Sequence, residues 1–371
     1  MDTFELIEKN DHEQVVFCSN KLVGLQAIIA IHDTSLGPAL GGTRMWTYKS
    51  SDEALKDVLR LSRGMTYKAS VAGLNLGGGK AIIIGDPNKD KTEDIFRYFG
   101  RFVEGLAGRY ITAEDVGTDV EDMEFVRMET KYVTGISRAL GGSGDPSPVT
   151  AYGVYVGMKA CAQEIFGSDS LEGKKIAVQG AGSVARFLCD HLAKENAEIL
   201  VCDIYEDKVK AIVDATGAKA IDHEKIYEVD ADIFAPCALG GIVNDDTIPK
   251  FKFKIIAGGA NNQLLEEHKH AEVLLKEGIL YAPDYAINAG GLINVSNEFE
   301  GYNQERALRQ AETIYQRIQQ IISISKERNI TTQDAASRLA EDRIRSISQV
   351  KQIYSGTSNF SGRLGETATR R

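Results

Sequence analysis

The sequence predicts an α/β protein of two domains, the second of which is built on a doubly wound parallel sheet. The chain has 371 residues, whereas single hydrophobic cores rarely grow beyond about 250–300 residues. From about residue 148 onward, strand-like and helix-like apolar patterns alternate, which is typical of a parallel sheet covered by helices. A glycine-rich turn at 180–185 separates a strand from a helix in that region. Length, alternation and turn together indicate the fold class.

The composition is that of an ordinary soluble globular protein. The formal net charge of −10 argues against a nucleic-acid partner, because such a partner needs a basic face. No apolar run reaches the roughly 18 residues of a membrane span, and the acidic N-terminus lacks the apolar region of a signal peptide. The five cysteines are scattered and the six histidines show no metal-ligand spacing. We therefore expect a cytoplasmic protein with reduced thiols, no membrane contact and no metal.

The first domain is predicted to cover residues 1–140. Apolar runs predict strands, and apolar residues at helical spacing predict helices. A turn-rich segment, 37–42, follows the second strand, and Thr92 is predicted to cap a helix that runs to about residue 106. The other predicted elements are strands 14–17, 25–32, 81–84 and 110–113 and helices 52–67 and 120–129.

Glycine and proline mark a domain boundary and hinge at 141–148. Ser147 is predicted to cap the next helix, with Pro148 at its first position. The second domain, 141–331, carries predicted helices 148–166, 184–194, 206–215 and 266–276 and strands 175–179, 198–202, 232–235 and 254–257. Two long helical patterns follow, 303–328 and 332–349. We expect the latter to pack back on the first domain and the polar end, 350–371, to be poorly ordered.

The turn Gly180-Ala181-Gly182-Ser183-Val184-Ala185 has the spacing of a dinucleotide-binding fingerprint, with a strand before it and a helix after it. Gly180 would make the turn, Gly182 would admit a pyrophosphate, and Ala185 would let helix and strand pack closely. The phosphates would lie on the helix N-terminus. Asp203 ends the next strand, where a carboxylate binds ribose hydroxyls, and Ile204 follows instead of an arginine for a 2′-phosphate. The pattern predicts a Rossmann-type domain that binds NAD⁺; the alternative is a glycine turn that binds nothing.

A second glycine-rich segment, 63–86, places Lys68 and Lys80 on either side of a predicted turn and a loop, Gly77-Gly78-Gly79. A phosphate loop is excluded because the upstream glycine is one position too far away and alanine follows the lysine. If the two ammonium groups meet, like charge and partial desolvation leave one lysine neutral and basic. The other would hold a substrate carboxylate, and Asp115, after a strand, is the third candidate. The alternatives are solvated lysines and a turn-capping aspartate.

Long stretches of residues 10–348 resemble the amino-acid dehydrogenases of the glutamate/leucine/phenylalanine/valine group. They are GPALGGTRMW (37–46), GMTYKASVAGLNLGGGKAIIIGDP (64–87), ITAEDVGT (111–118), GDPSPVTAYGV (144–154), the turn at 180–185 and APDYAINAGGLINV (282–295). The resemblance implies oxidative deamination of an L-α-amino acid to a 2-oxo acid and ammonia, with reduction of NAD⁺. It also implies a homo-oligomer, with an octamer as the expected form.

The same resemblance implies roles for single residues. Lys68 would hold the substrate carboxylate, Lys80 would activate the attacking water, and Asp115 would shuttle protons to and from the nitrogen. Thr150 and Asn261 would lie near the nicotinamide and Asn262 near the substrate carboxylate. The predicted cofactor site also includes Cys237 and Ala238.

The predicted substrate pocket is apolar, which favours an aliphatic amino acid because a buried unpaired charge is costly. Its residues are Leu40, Gly41, Gly42, Met65, Ala113, Leu292 and Val295. Leu292 and Val295 are expected to share one face of a helix that starts at Asn288, and Gly290 and Gly291 would allow that helix to pack closely. Members of the group that act on leucine usually carry valine at the position of Leu292. Members with larger substrates tend to carry leucine there, usually with glycine at the position of Ala113. The expected substrates are leucine, isoleucine and valine, with phenylalanine or tryptophan as the alternative.

Two other functions remain open from the residues alone. A malic-enzyme-like or hydroxy-acid dehydrogenase would need a metal–carboxylate cluster or a catalytic histidine, and neither has a convincing setting in the sequence. A catalytically inactive NAD-sensing protein would be free to lose the lysine pair and Asp115, all of which are present.

Overall fold

The computed structural model describes residues 3–350. These residues form two compact units: unit 1 holds 3–66, 75–136 and 341–350, and unit 2 holds 67–74 and 137–340. The division at residue 140 and the return of the last helix to the first domain stay predictions. Of the end that was expected to be poorly ordered, 350–371, only Val350 is described, as the last residue of a helix. Residues 351–371 lie outside the described part of the chain. In the described part, no helix is both long and apolar enough to cross a membrane.

Unit 1 is built around a mixed sheet. Its strands are β1 Gln14–Asn20, β2 Leu25–Asp33, β3 Ala39–Leu40, β4 Thr43–Trp46, β5 Gly77–Ile84 and β6 Tyr110–Ile111, and its helices are α1 Thr3–Lys9, α2 Ser51–Val71, α3 Glu93–Gly105 and α4 Val120–Arg127, with the end of α2 in unit 2. The strand order among the described residues is β1-β2-β5-β3-β6, and β4 also pairs with β5. The pairs β1–β2 and β2–β5 are antiparallel, whereas β3 and β4 run parallel to β5.

The predicted glycine loop is wrong, because Gly77, Gly78 and Gly79 are the first three residues of strand β5. They are needed for packing inside the protein. A Cβ at Gly78 would lie 2.1 Å from the backbone nitrogen of Thr66 on α2, and one at Gly79 would lie 2.6 Å from Cδ2 of Tyr110. The close approach that the glycines allow is therefore that of a helix and an aromatic ring.

Strand pairing brings three charged residues, Arg44, Lys80 and Asp115, to one edge of this sheet. Arg44 on β4 is the register partner of Ile82, two residues after Lys80 on β5. A further bridge pairs Thr43 with Glu114, the residue before Asp115. The hydroxyl of Tyr110 donates to the carbonyl of Gly41 at 2.6 Å and ties the same edge from β6. The cap of α3 at Thr92 is confirmed, since its side chain accepts the Ile95 amide.

Unit 2 confirms the predicted doubly wound parallel sheet. Its strands are β7 Lys175–Gln179, β8 Glu198–Cys202, β9 Lys219–Ala220, β10 Ile233–Pro236, β11 Ile255–Ile256 and β12 Leu280–Tyr281. Their order in the described residues, β12-β11-β10-β7-β8-β9, has every neighbouring pair parallel. This order reverses direction between β7 and β10, and such a switch point is where this fold binds dinucleotides.

Helices cover this sheet. They are α5 Ser147–Phe166, α6 Ser183–Lys194, α7 Glu206–Thr216, α8 Glu267–Lys276, α9 Asp284–Ile287, α10 Gly290–Ser296, α11 Gln304–Ala311, α12 Thr313–Arg328 and α13 Thr332–Val350, the last of which ends in unit 1. The main core of unit 2 joins buried residues of α5, α6 and α12 to the central strands, for example Met158, Leu188, Ile318 and Val178.

Three helix starts differ from their predictions. Ser147 does not cap α5: Pro146 holds the cap position, and the Ser147 amide is satisfied by the Asp145 carboxylate at 2.8 Å. The predicted helix 303–328 is interrupted between α11 and α12, where the Thr313 hydroxyl donates to the Gln310 carbonyl at 2.7 Å and competes with the helical pattern. Helix α10 starts at Gly290 rather than Asn288, because Asn288 is the C-cap of α9.

Candidate active site

Lys80 and Asp115 form a buried ion pair in unit 1. Strand β5 carries Lys80, which is 5% exposed, and its Nζ lies 2.8 Å from Oδ1 of Asp115. The chain turns after β6 to place Asp115, whose amide donates to the Thr118 hydroxyl at 2.9 Å. A lysine and a carboxylate in contact inside a protein can exchange or share a proton, which is the basis of acid–base chemistry.

The second oxygen of Asp115 is held by Arg44. The guanidinium Nε donates to Oδ2 of Asp115 at 2.9 Å. Burial alone would raise the pKa of Asp115, but the charges of Lys80 and Arg44 and their hydrogen bonds outweigh burial and lower that pKa to about 2. The carboxyl group of Asp115 is therefore ionised at neutral pH.

Two predicted pocket residues of unit 1, Gly42 and Gly41, pack against Asp115 and against Gly79, the residue before Lys80. A Cβ at Gly42 would lie 2.9 Å from Cβ of Asp115, and one at Gly41 would lie 3.3 Å from Cγ of Met65. Leu40 and Ala113 are buried. The glycines are required because larger residues would collide with the Glu114 and Gly79 carbonyls, 2.3 and 1.7 Å from the added atoms.

Lys68 lies in the last turn of α2, within unit 2. Its Nζ donates to Oδ1 of Asn261 at 3.4 Å, and the same oxygen accepts from Nδ2 of Asn288 at 2.7 Å. Lys80 belongs to unit 1, so the approach of the two ammonium groups stays a prediction. Asn262 is exposed and takes a left-handed backbone with φ of 52°.

Asp284 and Asn288 are polar residues near Lys68 that sequence reasoning did not single out. Asp284 is buried, and its carboxylate accepts the amides of Gln263 at 3.1 Å and Tyr285 at 2.6 Å. Burial raises the pKa of Asp284, although the Lys68 charge opposes the shift. Both residues belong to the stretch 282–295. Their polar side chains within an otherwise apolar run are the feature of the sequence that could have identified them as candidates.

The glycine turn of unit 2 has the geometry of its predicted role. Gly180 has a φ of 109°, and Gly182 caps α6 in a position where no side chain satisfies the free amides. An added Cβ at Gly182 would meet no atom within 4 Å, so the turn leaves open space for a pyrophosphate. Ala185 is fully buried, as close packing of helix and strand requires.

The neighbours of this turn are also those predicted. Ala181 donates its amide to Oδ2 of Asp203 at 2.6 Å, so the Asp203 carboxylate supports the turn at the end of β8. A Cβ at Gly180 would lie 3.0 Å from the Cys237 carbonyl carbon and 3.1 Å from the Ala238 side chain, which follow β10. Ser183 and Ile204 are exposed and Val184 is half-buried. The residues therefore fit a dinucleotide at the switch point.

Helix α10 packs against α5 where Thr150 lies. A Cβ at Gly290 would lie 2.2 Å from the Val149 carbonyl oxygen, and one at Gly291 would lie 2.9 Å from Oγ1 of Thr150. The predicted close approach through these glycines is confirmed. Leu292 is 7% exposed and Val295 is half-buried.

Asp245, Glu266 and His270 lie close enough to resemble a metal site. Nδ1 of His270 accepts the Glu266 amide at 2.9 Å, which places the proton of a neutral imidazole on Nε2, 3.5 Å from Asp245. Lys269 also contacts the Asp245 carboxylate at 2.6 Å. The lone pair that a metal needs is therefore absent from Nε2, and we assign no metal to this group.

Comparison with known proteins places nearly all of the described chain in one family. Residues 12–132 match the model of the Glu/Leu/Phe/Val dehydrogenase dimerisation domain. Residues 141–217 and 198–352 match the model described as Glutamate/Leucine/Phenylalanine/Valine dehydrogenase.

Individual relatives cover nearly the full length. The chain is 60% identical over 354 residues to leucine dehydrogenase of Geobacillus stearothermophilus, covering 95% of this chain and 96% of the relative. It is 51% identical to phenylalanine dehydrogenase of Lysinibacillus sphaericus, covering 92% and 91%. The crystal structure of L-tryptophan dehydrogenase from Nostoc punctiforme superposes with a TM-score of 0.84 at 49% identity, covering 93% and 99%.

A nicotinamide-dependent dehydrogenase is the class that the parallel sheet, its glycine turn and the lysine–aspartate pair define. The chain belongs to the Glu/Leu/Phe/Val dehydrogenase family, and it is an amino-acid dehydrogenase.

Proposed function

We propose that the protein catalyses the reversible, NAD⁺-dependent oxidative deamination of branched-chain L-amino acids, with leucine as substrate and isoleucine and valine also accepted. The observation that carries the proposal is the buried Lys80–Asp115 pair, at 2.8 Å. An inactive NAD-binding protein would have no use for a lysine buried to 5% exposure beside a carboxylate. The higher identity to a leucine dehydrogenase, 60% against 51% for a phenylalanine dehydrogenase, supports the substrate class.

The proposed roles follow from the charges of three residues. Lys68 holds the substrate carboxylate as a cation. Lys80, once neutral, takes a proton from the water that attacks the imino carbon. Asp115 accepts a proton from the substrate nitrogen and returns it to the departing ammonia. Bound NAD⁺ supplies the hydride acceptor. The balance is amino acid, water and NAD⁺ giving 2-oxo acid, ammonium, NADH and a proton.

The pKa of Asp115 sets a condition on this sequence. At a pKa of about 2, the carboxylate is a poor proton acceptor at neutral pH. Loss of the Lys80 charge removes the leading contribution that lowers the pKa, so Asp115 becomes a better acceptor when Lys80 is neutral. The two groups therefore act as one unit that passes a single proton.

We assign NAD⁺ as the cofactor from the groups around the glycine turn. Asp203 follows β8 and lies beside Ala181, where its carboxylate would accept ribose hydroxyls and repel a 2′-phosphate. Ile204, 68% exposed, stands where an arginine would be needed for that phosphate. Thr150, Asn261, Cys237 and Ala238 complete the proposed cofactor set, and Asn262 is assigned to the substrate carboxylate.

The substrate preference is expected to follow pocket size. Ala113 is buried beside Asp115, and its methyl group narrows the pocket against an aromatic ring. We expect a higher kcat/KM for L-leucine than for L-phenylalanine or L-tryptophan. Isoleucine, an isomer of leucine, should be accepted with a similar kcat/KM. Valine lacks one methylene and should be accepted with a lower value, because one methylene is worth about 1–3 kcal/mol in an apolar pocket.

The measurement is kcat/KM for L-leucine, L-valine, L-phenylalanine and L-tryptophan on the unmodified protein. Ala113→Gly is the informative variant, since removal of the methyl should raise the aromatic values relative to leucine. A higher kcat/KM for either aromatic in the unmodified protein would show that Leu292 sets the specificity, and would assign an aromatic amino acid as substrate.

We also propose a cytoplasmic homo-oligomer, with the octamer as the expected form. The match to a domain described by dimerisation supports assembly. So does the edge strand β1, because Phe17 and the nearby Leu22 are 56% and 91% exposed in the single chain. Light scattering at micromolar concentration should give a multiple of 40.5 kDa, whereas a 40.5 kDa particle would contradict assembly.

A further inference from the structure

Arg44 links the Lys80–Asp115 pair to a second set of charges in unit 1. Its Nε donates to Oδ2 of Asp115 at 2.9 Å, and its NH1 donates to Oδ2 of Asp57 on α2 at 3.1 Å. The side chain is 20% exposed. One planar guanidinium thus bridges two carboxylates, which a lysine could not do with the same geometry.

Asp57 is itself fixed in place. The Tyr48 hydroxyl donates to Oδ2 of Asp57 at 2.7 Å, and Arg60 donates to Oδ1 at 2.9 Å. Burial raises the pKa of Asp57, but the hydrogen bonds of Tyr48 and Arg60 and the charge of Arg44 reverse the shift and lower it. Asp57 therefore stays ionised and holds the NH1 group of the Arg44 guanidinium in place.

We infer that Arg44, anchored by Asp57, is a positioning residue that aims Asp115 and eases proton loss from the Lys80–Asp115 pair. The inference rests on the roles proposed above for Lys80 and Asp115. Each oxygen of Asp115 has its own cation: Oδ1 faces Lys80 and Oδ2 faces Arg44. With Oδ2 held, Oδ1 cannot rotate away from Lys80.

The sign of the pH effect follows from the neighbouring charges. The titratable and charged groups that act on Asp115 are Lys80 on β5, Arg44 on β4 and Tyr110 on β6. Arg44 in turn faces Asp57 on α2, which Tyr48 and Arg60 contact. Arg44 adds a fixed positive charge beside the pair, which favours the state of the pair with fewer protons. Removal of this charge makes the pair hold its proton to higher pH.

A surface pocket of about 490 Å³ offers a direct test. It is lined by Arg44, Trp46, Tyr48, Asp57 and Val116, among other residues of unit 1. The Arg44 side chain therefore borders a space that solvent can enter. In Arg44→Ala, the deleted guanidinium leaves a space that a small soluble guanidinium can enter through this pocket.

The experiment compares Arg44→Ala and Arg44→Lys with the unmodified enzyme, as pH profiles of kcat and kcat/KM for L-leucine. We expect Arg44→Ala to lose about 10²-fold in kcat and its acid limb to move about one unit to higher pH. Millimolar methylguanidinium should restore part of the rate and shift the acid limb back. Arg44→Lys should keep the position of the acid limb and lower kcat. Lysine keeps the positive charge, but it has no planar guanidinium to contact Asp115 and Asp57 at once.

Arg97→Ala is the matched control. Arg97 also pairs with two carboxylates of unit 1, Glu93 and Glu129, and it makes neither of the contacts to Asp115 described above. Its pH profile should match that of the unmodified enzyme, with no response to methylguanidinium. If Arg44→Ala is poorly folded, Arg44→Lys and Asp57→Asn carry the test, since each keeps a positive charge on residue 44 and should lose kcat without an alkaline shift.

Two outcomes separate the inference from the proposed function. An unmodified protein without amino-acid dehydrogenase activity would overturn the proposed function itself. An active unmodified enzyme whose Arg44→Ala variant keeps its acid limb, or shifts it no more than Arg97→Ala does, would overturn only the role of Arg44. An unchanged kcat in both Arg44→Lys and Asp57→Asn would do the same.

Discussion

Replacement of Lys80 by alanine is expected to lower kcat for L-leucine by about 10²–10⁴-fold, the usual loss when a general base is removed. Lys80 is 5% exposed and contacts Oδ1 of Asp115 at 2.8 Å, so no solvent base replaces it easily. The dissociation constant for NAD⁺ should change little, because the glycine turn at Gly180 belongs to unit 2. Steady-state kinetics and a binding titration on the same preparation measure both effects.

Two further variants identify the cause of that loss. Lys80→Arg keeps a positive charge near Asp115 but provides no neutral base, so it should be as inactive as Lys80→Ala. Lys91→Ala removes a lysine that pairs with two other carboxylates of unit 1, Asp119 and Asp122, and should keep its turnover. A Lys80→Ala enzyme with a kcat near that of the unmodified protein would show that Lys80 is not the general base.

The second large effect concerns the choice of dinucleotide. The unmodified enzyme should prefer NAD⁺ over NADP⁺ by at least about 10²-fold in kcat/KM, because a carboxylate facing a 2′-phosphate costs several kcal/mol. Asp203→Ser combined with Ile204→Arg should narrow or reverse this ratio. The arginine would then supply the cation that a 2′-phosphate needs.

The structure adds a requirement to that experiment. Asp203 also accepts the Ala181 amide at 2.6 Å and the Tyr205 amide at 3.1 Å, so its loss weakens the turn for either dinucleotide. The ratio of the two kcat/KM values is therefore the proper readout. Asp203→Asn keeps an acceptor oxygen and removes the charge, and it should relax the preference without reversing it. Equal use of NADP⁺ by the unmodified protein would show that Asp203 does not read the ribose.

The parts of the fold that were predictable have long and regular apolar patterns. The bounds predicted for β7 and β8 are those observed, since five-residue apolar runs between helical patterns leave little choice. Two-residue strands such as β3, β9 and β12 are too short to show an alternating apolar pattern in the sequence. They form only by pairing with segments that are distant in the chain. The glycines of β5 were misread because a loop and a strand that needs close packing on both sides have the same composition.

The sequence predicted the residues proposed to carry the acid–base chemistry, but not the residues that hold them in position. Lys80 was found because it follows three glycines, and Asp115 was found because it follows a strand and lies two residues before Gly117. Arg44 was missed because its partner Asp115 is 71 positions away in the chain, and no local pattern reports a contact of that span. The same holds for Asn288, whose partner Asn261 is 27 positions away.

The most direct test of the central claim is a product balance with the unmodified enzyme. Incubation with L-leucine and NAD⁺ should form NADH, ammonium and the 2-oxo acid of leucine in equal amounts, and the reaction should run backward when ammonium, the oxo acid and NADH are supplied. Absorbance of NADH and enzymatic assays of the other two products give the ratio. NADH formed without ammonium, or no NADH formed with any aliphatic or aromatic L-amino acid, would contradict oxidative deamination by this protein.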